Sequence, residues 1–327
     1  MGEFADIKFI DLFCGIGGFR QSLESFGNTC VFSSDWDKDA QDIYQLNYGE
    51  RPVGDISQIE AEDIPKHHVL CGGFPCQPFS ISGKKNGFSD ARGTLLHEIL
   101  RIAKMHQPEV LFLENVRNYL NHACGETMRT TLMLLNEIGY DSHYKILSAS
   151  NYGIPQKRER LYIVCFRKDL KVESFNFPLS EKTEVALEDI LLPREDSLIN
   201  DLLIERFDIT WKENLISKRE NAPIRIGTLG KGGQGERIYS PKGHAVTLSA
   251  YGGGVGAKTG MYLINGKVRR LHPRECARLM GFPETFQLHK RRNVCYKQFG
   301  NSVAIPVVKK IFNEIQKSLH SSEKKAA

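Results

Sequence analysis

IKFIDLFCGIGGFRQSLESFG, residues 7–27, changes character twice. It opens on a β-branched and aromatic apolar run, the composition of a buried strand. Glycines follow at Gly15, Gly17 and Gly18, and apolar residues then recur near the helical spacing of 3.6. Glycine at such a junction lets the backbone turn tightly and approach a ligand before a helix begins. The spacing is GxGG, not the GxGxxG of a turn that cradles a pyrophosphate, so the expectation is a nucleoside site. Asp35, twenty positions beyond Gly15, is placed to accept hydrogen bonds from a ribose. Trp36 beside it offers a face to an adenine, and Asp55 follows in RPVGD.

The same alternation runs outward through the first half of the chain. TCVFSSD, HHVLCGG, EVLFLEN, HYKILSA and RLYIVCF read as further buried strands. Between them KDAQDIYQLN, GTLLHEILRIAKMH and TMRTTLMLLNEIG carry helical periodicity. Strand–helix alternation predicts an α/β fold, a mostly parallel, doubly wound sheet with helices on both faces. Ligands of such sheets sit at the carboxyl ends of the strands. Two chemically distinctive residues fall at strand ends, Cys76 in GGFPCQPFS and Glu114 at the close of VLFLE.

Composition bounds the class. The 327 residues are 25% charged and 41% hydrophobic, ordinary for a globular protein. No apolar run reaches 18 residues and MGEFADIKFI lacks the pattern of an export signal, so the expected location is the cytoplasm and no membrane partner is expected. The eight cysteines are scattered with no CxxC pair, which argues against a disulfide frame and against a metal site. Charge is uneven: residues 181–206 hold eight acidic side chains against three basic, residues 225–293 thirteen basic against three acidic. Eleven of the 29 glycines lie between Gly227 and Gly260. A basic, glycine-rich third suits close approach of backbone to a polyanion.

DLFCGIGGF, GGFPCQPFS, ENV at 114–116, QKRER at 156–160, RECARLMGFP at 274–283 and GNSV at 300–303 occur in this order. Together they resemble the DNA (cytosine-5)-methyltransferase family over almost the whole chain. The resemblance implies a Rossmann-like, S-adenosyl-L-methionine-dependent methyltransferase sheet with a smaller, mainly β target-recognition domain. It implies a catalytic domain at 1–190, target recognition at 191–272, a hinge at 273–299 and, at 300–327, a C-terminal helix returning to the catalytic domain.

Roles follow by the same resemblance. Cytosine C5 is a poor nucleophile, and a thiolate adding at C6 pushes electrons into the ring. That role falls to Cys76. Glu114 engages N3 and the amino group, while Arg158 and Arg160, alternate residues able to share a face, bind the O2 atom, the phosphate and the glutamate. The cofactor set is Phe13, Gly15, Gly17, Asp35, Trp36, Asp55, Ile56, Pro75, Leu95, Asn301 and Ser302, with S-adenosyl-L-homocysteine as product. The family more often has Glu at the position of Asp35. A base inside a duplex must be swung out before C6 is reachable, and the polar loop after Cys76, with Gly83, Gly87 and Gly93, is suited to close over it.

Double-stranded DNA is the expected partner, contacted by Ser82, Lys84, Gln234, Arg237, Thr247 and Tyr251. The segment 230–254 resembles the recognition region of a member that reads GCGC and methylates the first cytosine. The expected setting is a bacterial restriction-modification system, the enzyme acting as a monomer beside a cognate endonuclease with no stable complex. An RNA (tRNA) cytosine-5 methyltransferase is the neighbouring alternative, disfavoured by the developed 225–260 segment. A DNA-binding relative without catalysis is disfavoured by joint retention of Cys76, Glu114, Arg158 and Arg160. The GxGG spacing counts against a nicotinamide oxidoreductase.

Overall fold

The computed structural model describes residues 6–74, 95–181, 184–193, 197–212, 218–252 and 254–326. The chain divides into two compact units: Met1–Leu147, Glu159–Leu179 and Val308–Ala327 form one, Ser148–Arg158 and Ser180–Val307 the other.

The first unit is built on a six-stranded sheet. Its strands are β1 (Lys8–Leu12), β2 (Thr29–Ser34), β3 (Val69–Gly73), β4 (Val110–Val116), β5 (Tyr140–Ser148) and β6 (Glu159–Arg167), in the spatial order β2-β1-β3-β4-β6-β5. The four strands β2, β1, β3 and β4 are parallel, and β6 runs antiparallel to β4. Period-two alternation sends neighbouring side chains to opposite faces. Leu111 and Leu113 accordingly join a core with Leu96, Ile99, Leu100 and Ala103 of helix α3 (Leu95–His106) and with Met128, Leu134 and Leu135 of α4 (Glu126–Glu137). Phe112 between them turns the other way and meets Phe19 of α1 (Gly18–Leu23) edge-on at 5.1 Å. Both faces are covered, as the alternation requires.

Local chemistry fixes where the helices start. Asp37 caps α2 (Lys38–Tyr48), its side chain accepting from the Asp39 and Ala40 amides, and Gly49 closes the helix with φ 78°. This capping places the preceding pair, Asp35 and Trp36, at the carboxyl end of β2.

In the second unit a five-stranded sheet has the order β11-β10-β9-β8-β7, with β7 (Ile209–Trp211), β8 (Ile224–Leu229), β9 (Arg237–Ser240), β10 (Met261–Ile264) and β11 (Lys267–Arg269). Its buried cluster is small: Ile224, Ile226, Leu229, Ile238, Met261 and Val268. Glycine-rich connections leave few side chains to bury. Two helices, α5 (Pro273–Arg278) and α6 (Arg292–Asn301), complete the unit, and α7 (Ile305–Ala326) carries the chain back into the first. Residues 273–299 lie within the second unit.

Candidate active site

The strand ends of the first unit gather the cofactor candidates. Backbone turns at Phe13, Gly15 and Gly17 with φ of 56°, 55° and 81°. A Cβ at Gly17 would stand 2.4 Å from the Tyr48 ring, so that position has neither the conformation nor the space for a side chain. The Tyr48 hydroxyl donates to the Gly17 carbonyl at 2.9 Å, tying the turn to α2. Asp35 Oδ2 accepts from the Gly15 amide at 2.7 Å, and Oδ1 from the Asp37 amide at 2.8 Å. A carboxylate has about four acceptor sites, so each oxygen keeps capacity for a hydroxyl while the turn is held. Trp36 is 81% exposed. Asp55 Oδ1 takes the Ser57 amide and hydroxyl at 3.0 and 2.9 Å. Ile56 is buried under it, and Leu95, partly buried, begins α3. An exposed indole, two carboxylates and a tight glycine turn fit the adenosine part of S-adenosylmethionine.

On β4, Glu114 pairs in register with Gly73 of β3 on one side and Tyr162 of β6 on the other. The carboxylate is 8% exposed and Arg160 Nε lies 3.1 Å from its Oε1. A buried charged pair in such contact holds the acid in one orientation. The next residue, Asn115, donates from Nδ2 to the Phe74 carbonyl at 2.9 Å and accepts the Val116 amide at 2.8 Å. Asn115 thus locks the end of β4 to the point where β3 leaves the sheet. Pro75, Cys76, Ser82 and Lys84 lie outside the described residues.

The other cysteines provide a contrast. Cys14, Cys30, Cys71, Cys165, Cys276 and Cys295 are buried, and Cys124 is exposed. Burial pushes the Cys71 thiol well up, those of Cys30 and Cys165 to about 12 and that of Cys295 to about 11. A thiol is inert as a nucleophile when held protonated in this way.

In the second unit Arg158 immediately precedes β6 and is only 2% exposed. Its Nη1 donates to the Leu248 carbonyl at 3.2 Å, and Nη2 to the Gly300 and Ser302 carbonyls at 3.0 and 2.5 Å. Asn301, exposed, ends α6, and Ser302 is buried beside it. Gln234 is exposed at the start of a short turn at Gln234–Glu236, Arg237 begins β9, and Tyr251 is 72% exposed. Thr247, also exposed, donates from its hydroxyl to the Lys157 carbonyl. Gln156, fully buried, accepts the Leu248 amide at 3.1 Å and donates to the Leu279 carbonyl at 2.8 Å. No sequence signal marked Gln156 apart from its place in QKRER.

A doubly wound sheet with a tight glycine turn, two carboxylates and a paired acid at its strand ends is the candidate site. The model for C-5 cytosine-specific DNA methylase matches residues 7–317, and the chain belongs to that family. It is 51% identical to the Type II methyltransferase M.HhaI of Haemophilus parahaemolyticus, over 97% of both chains. Identity to the Type II methyltransferase M.MspI of a Moraxella species is 40%, over 96% of this chain and 72% of that one. Among solved structures, S. pombe Dnmt2 methyltransferase superposes with a TM-score of 0.70 at 22% identity, covering 96% of this chain and 99% of that one. A putative DNA modification methyltransferase encoded within an E. coli prophage gives 0.69 at 21%, with the same coverage. These two likenesses concern the fold. The enzyme is a DNA cytosine-5 methyltransferase, and the family's methyl donor is S-adenosyl-L-methionine.

Proposed function

We propose that Cys76 is the nucleophile, that Glu114 and Arg160 act on the target cytosine, and that the target is GCGC with the first cytosine methylated. The observation that carries the reading is the Glu114–Arg160 contact at 3.1 Å, set at the end of β4 and locked through Asn115 to the strand that leads toward Cys76. The thiolate adds to C6, and the displaced electron pair travels to C5. N3 gains basicity as this happens, and Glu114, oriented by Arg160, shares a proton with it. When bound, S-adenosylmethionine supplies the electrophilic methyl group that C5 takes up. Loss of the C5 proton to a solvent base then expels the thiolate and restores the ring.

Asp35 is read as the ribose ligand, Trp36 and Phe13 as the walls of the adenine site and Asp55 as the acceptor of its amino group. Gly15, Gly17, Ile56, Pro75, Leu95, Asn301 and Ser302 complete the cofactor set. Gln234, Arg237, Thr247 and Tyr251 are read as DNA contacts, with Ser82 and Lys84 from the stretch of sequence after Cys76. The domain division 1–190, 191–272, 273–299 and 300–327 is retained as the functional one. Identity of 51% to a Type II methyltransferase along nearly its whole length supports a role as the modification half of a restriction system. In that role it acts in the cytoplasm as a monomer, without a stable complex with a nuclease and without a metal.

One trapping experiment tests nucleophile and target together. A duplex with 5-fluorocytosine as the first cytosine of GCGC should form a covalent complex that requires the cofactor. Cys76→Ser should abolish it, while Cys71→Ser, at a thiol buried in β3, should leave it intact. The corresponding GGCC duplex should not trap. Trapping by Cys76→Ser refutes the nucleophile; equal trapping on GGCC refutes the target.

A further inference from the structure

The segment Pro155–Arg158 runs alongside 245–248 and grips it. Ala245 donates its amide to the Pro155 carbonyl at 2.7 Å, and Lys157 donates its own to the Ala245 carbonyl at 2.9 Å. Both backbone polar groups of Leu248 are then taken by side chains. Gln156 accepts its N–H and Arg158 donates to its C=O. Arg158 also donates to the Gly300 and Ser302 carbonyls. A Cβ at Gly300 would stand 2.2 Å from the Ala250 amide nitrogen, so the end of α6 rests directly on the backbone of this same segment. Thr247, exposed, precedes Leu248, and Tyr251, also exposed, follows three positions later.

We propose that Arg158 is a positioning residue for target recognition: with Gln156 it fixes the backbone of Leu248 on both sides, and thereby Thr247 and Tyr251, and it does not contact the cytosine. This rests on reading 247–251 as part of the DNA-recognition surface. A guanidinium offers five donors in a rigid fork, and here the fork spans carbonyls from two separate stretches of chain. Burial of a charge is tolerated where it is hydrogen-bonded, and here both terminal nitrogens are. The ammonium of lysine is a point donor and does not span both stretches. Recognition of base edges depends on donors held to within a fraction of an ångström, so loosening Leu248 degrades discrimination before it degrades chemistry.

The test compares Arg158→Lys and Gln156→Met with the unmodified enzyme, on GCGC duplexes and on duplexes changed at one base pair outside the methylated cytosine. Folded protein is verified by thermal melting. For both variants kcat/KM discrimination should fall about tenfold, the value of one good base contact, through KM for the cognate duplex. Single-turnover methyl transfer at saturating DNA should change less than about threefold. A structural role alone lowers the melting temperature and leaves the discrimination ratio unmoved. If Arg158→Lys collapses the single-turnover rate while discrimination stays native, Arg158 contacts the substrate and the proposal is overturned. If Arg158→Lys does not fold, native discrimination in Gln156→Met overturns it. Thr247→Ala and Tyr251→Ala test the underlying reading separately, since native discrimination in both removes 247–251 from the recognition surface.

Discussion

Glu114 shows what one residue can be asked to do. Its place at the end of an apolar run was legible in VLFLE, because a carboxylate closing a buried strand interrupts the hydrophobic pattern. Its partner was legible only as a member of QKRER. In the structure Arg160 Nε lies 3.1 Å away. Glu114→Gln keeps the shape and a hydrogen-bonding group but removes the acid. The methyl-transfer rate should fall by about 10²-fold or more, with specific DNA affinity changed far less. Single-turnover rates alongside equilibrium binding make the check. Equal losses in both would mark Glu114 as a binding residue instead. The two arginines of the motif part company despite their spacing. Arg160 belongs to β6, whereas Arg158 stands before it and donates to three backbone carbonyls.

At the scale of an element, the start of α5 holds a deeply buried ion pair. Arg269 and Glu275 form a two-point pair at 2.8 and 2.7 Å, with side chains 2% and 0% exposed. Glu275 also accepts the His272 amide at 2.7 Å and the Leu192 amide at 2.9 Å. One carboxylate therefore closes the capping box of α5 and anchors the chain at Leu192. His272 stands at the N-cap with Pro273 in the first turn, and Arg269 reaches the same carboxylate from outside the helix. Arg269→Met should leave Glu275 charged in a dry site and cost about 3–5 kcal/mol. A lower urea midpoint with an unchanged slope is the expected signature. Adding Glu275→Gln should recover part of that loss by removing the uncompensated charge. A midpoint shift near zero for Arg269→Met would show that the pair contributes nothing net.

For the whole molecule, pH reports on groups whose titration differs between the folded and unfolded chain. Burial pushes His67 down to about 4 from an ordinary 6.5; the Pro65 carbonyl opposes this, while His106 and His68 add smaller lowering contributions. Its Nδ1 lies 2.8 Å from the Pro65 carbonyl, and Nε2 is buried without a hydrogen-bond partner. The folded form keeps this imidazole neutral. Between pH 6.5 and about 4 the unfolded chain therefore binds the extra proton, and stability falls as pH falls through that window. The loss is at most roughly 3 kcal/mol, because one pKa unit corresponds to about 1.4 kcal/mol. Burial lowers His143 and His244 as well, which act in the same direction. His67→Asn keeps a donor for Pro65 and should flatten the decline in melting temperature between pH 6.5 and 4. An unchanged decline would place the acid sensitivity elsewhere.

Sequence alone determined six strands, the helices between them and the glycine turn, since each is written in a local period of two or 3.6 or in a conformation only glycine adopts readily. The ordered motifs determined the family. Tertiary structure decided the rest. It set β6 antiparallel to β4, placed Asn115 on the Phe74 carbonyl, and separated Arg158 from Arg160 by giving it carbonyls 90, 142 and 144 positions away. The physical reason is range. Burial periodicity reports which face of an element is dry, whereas the partner of a long polar side chain depends on which distant backbone the packing brings within 3 Å or so of its donors.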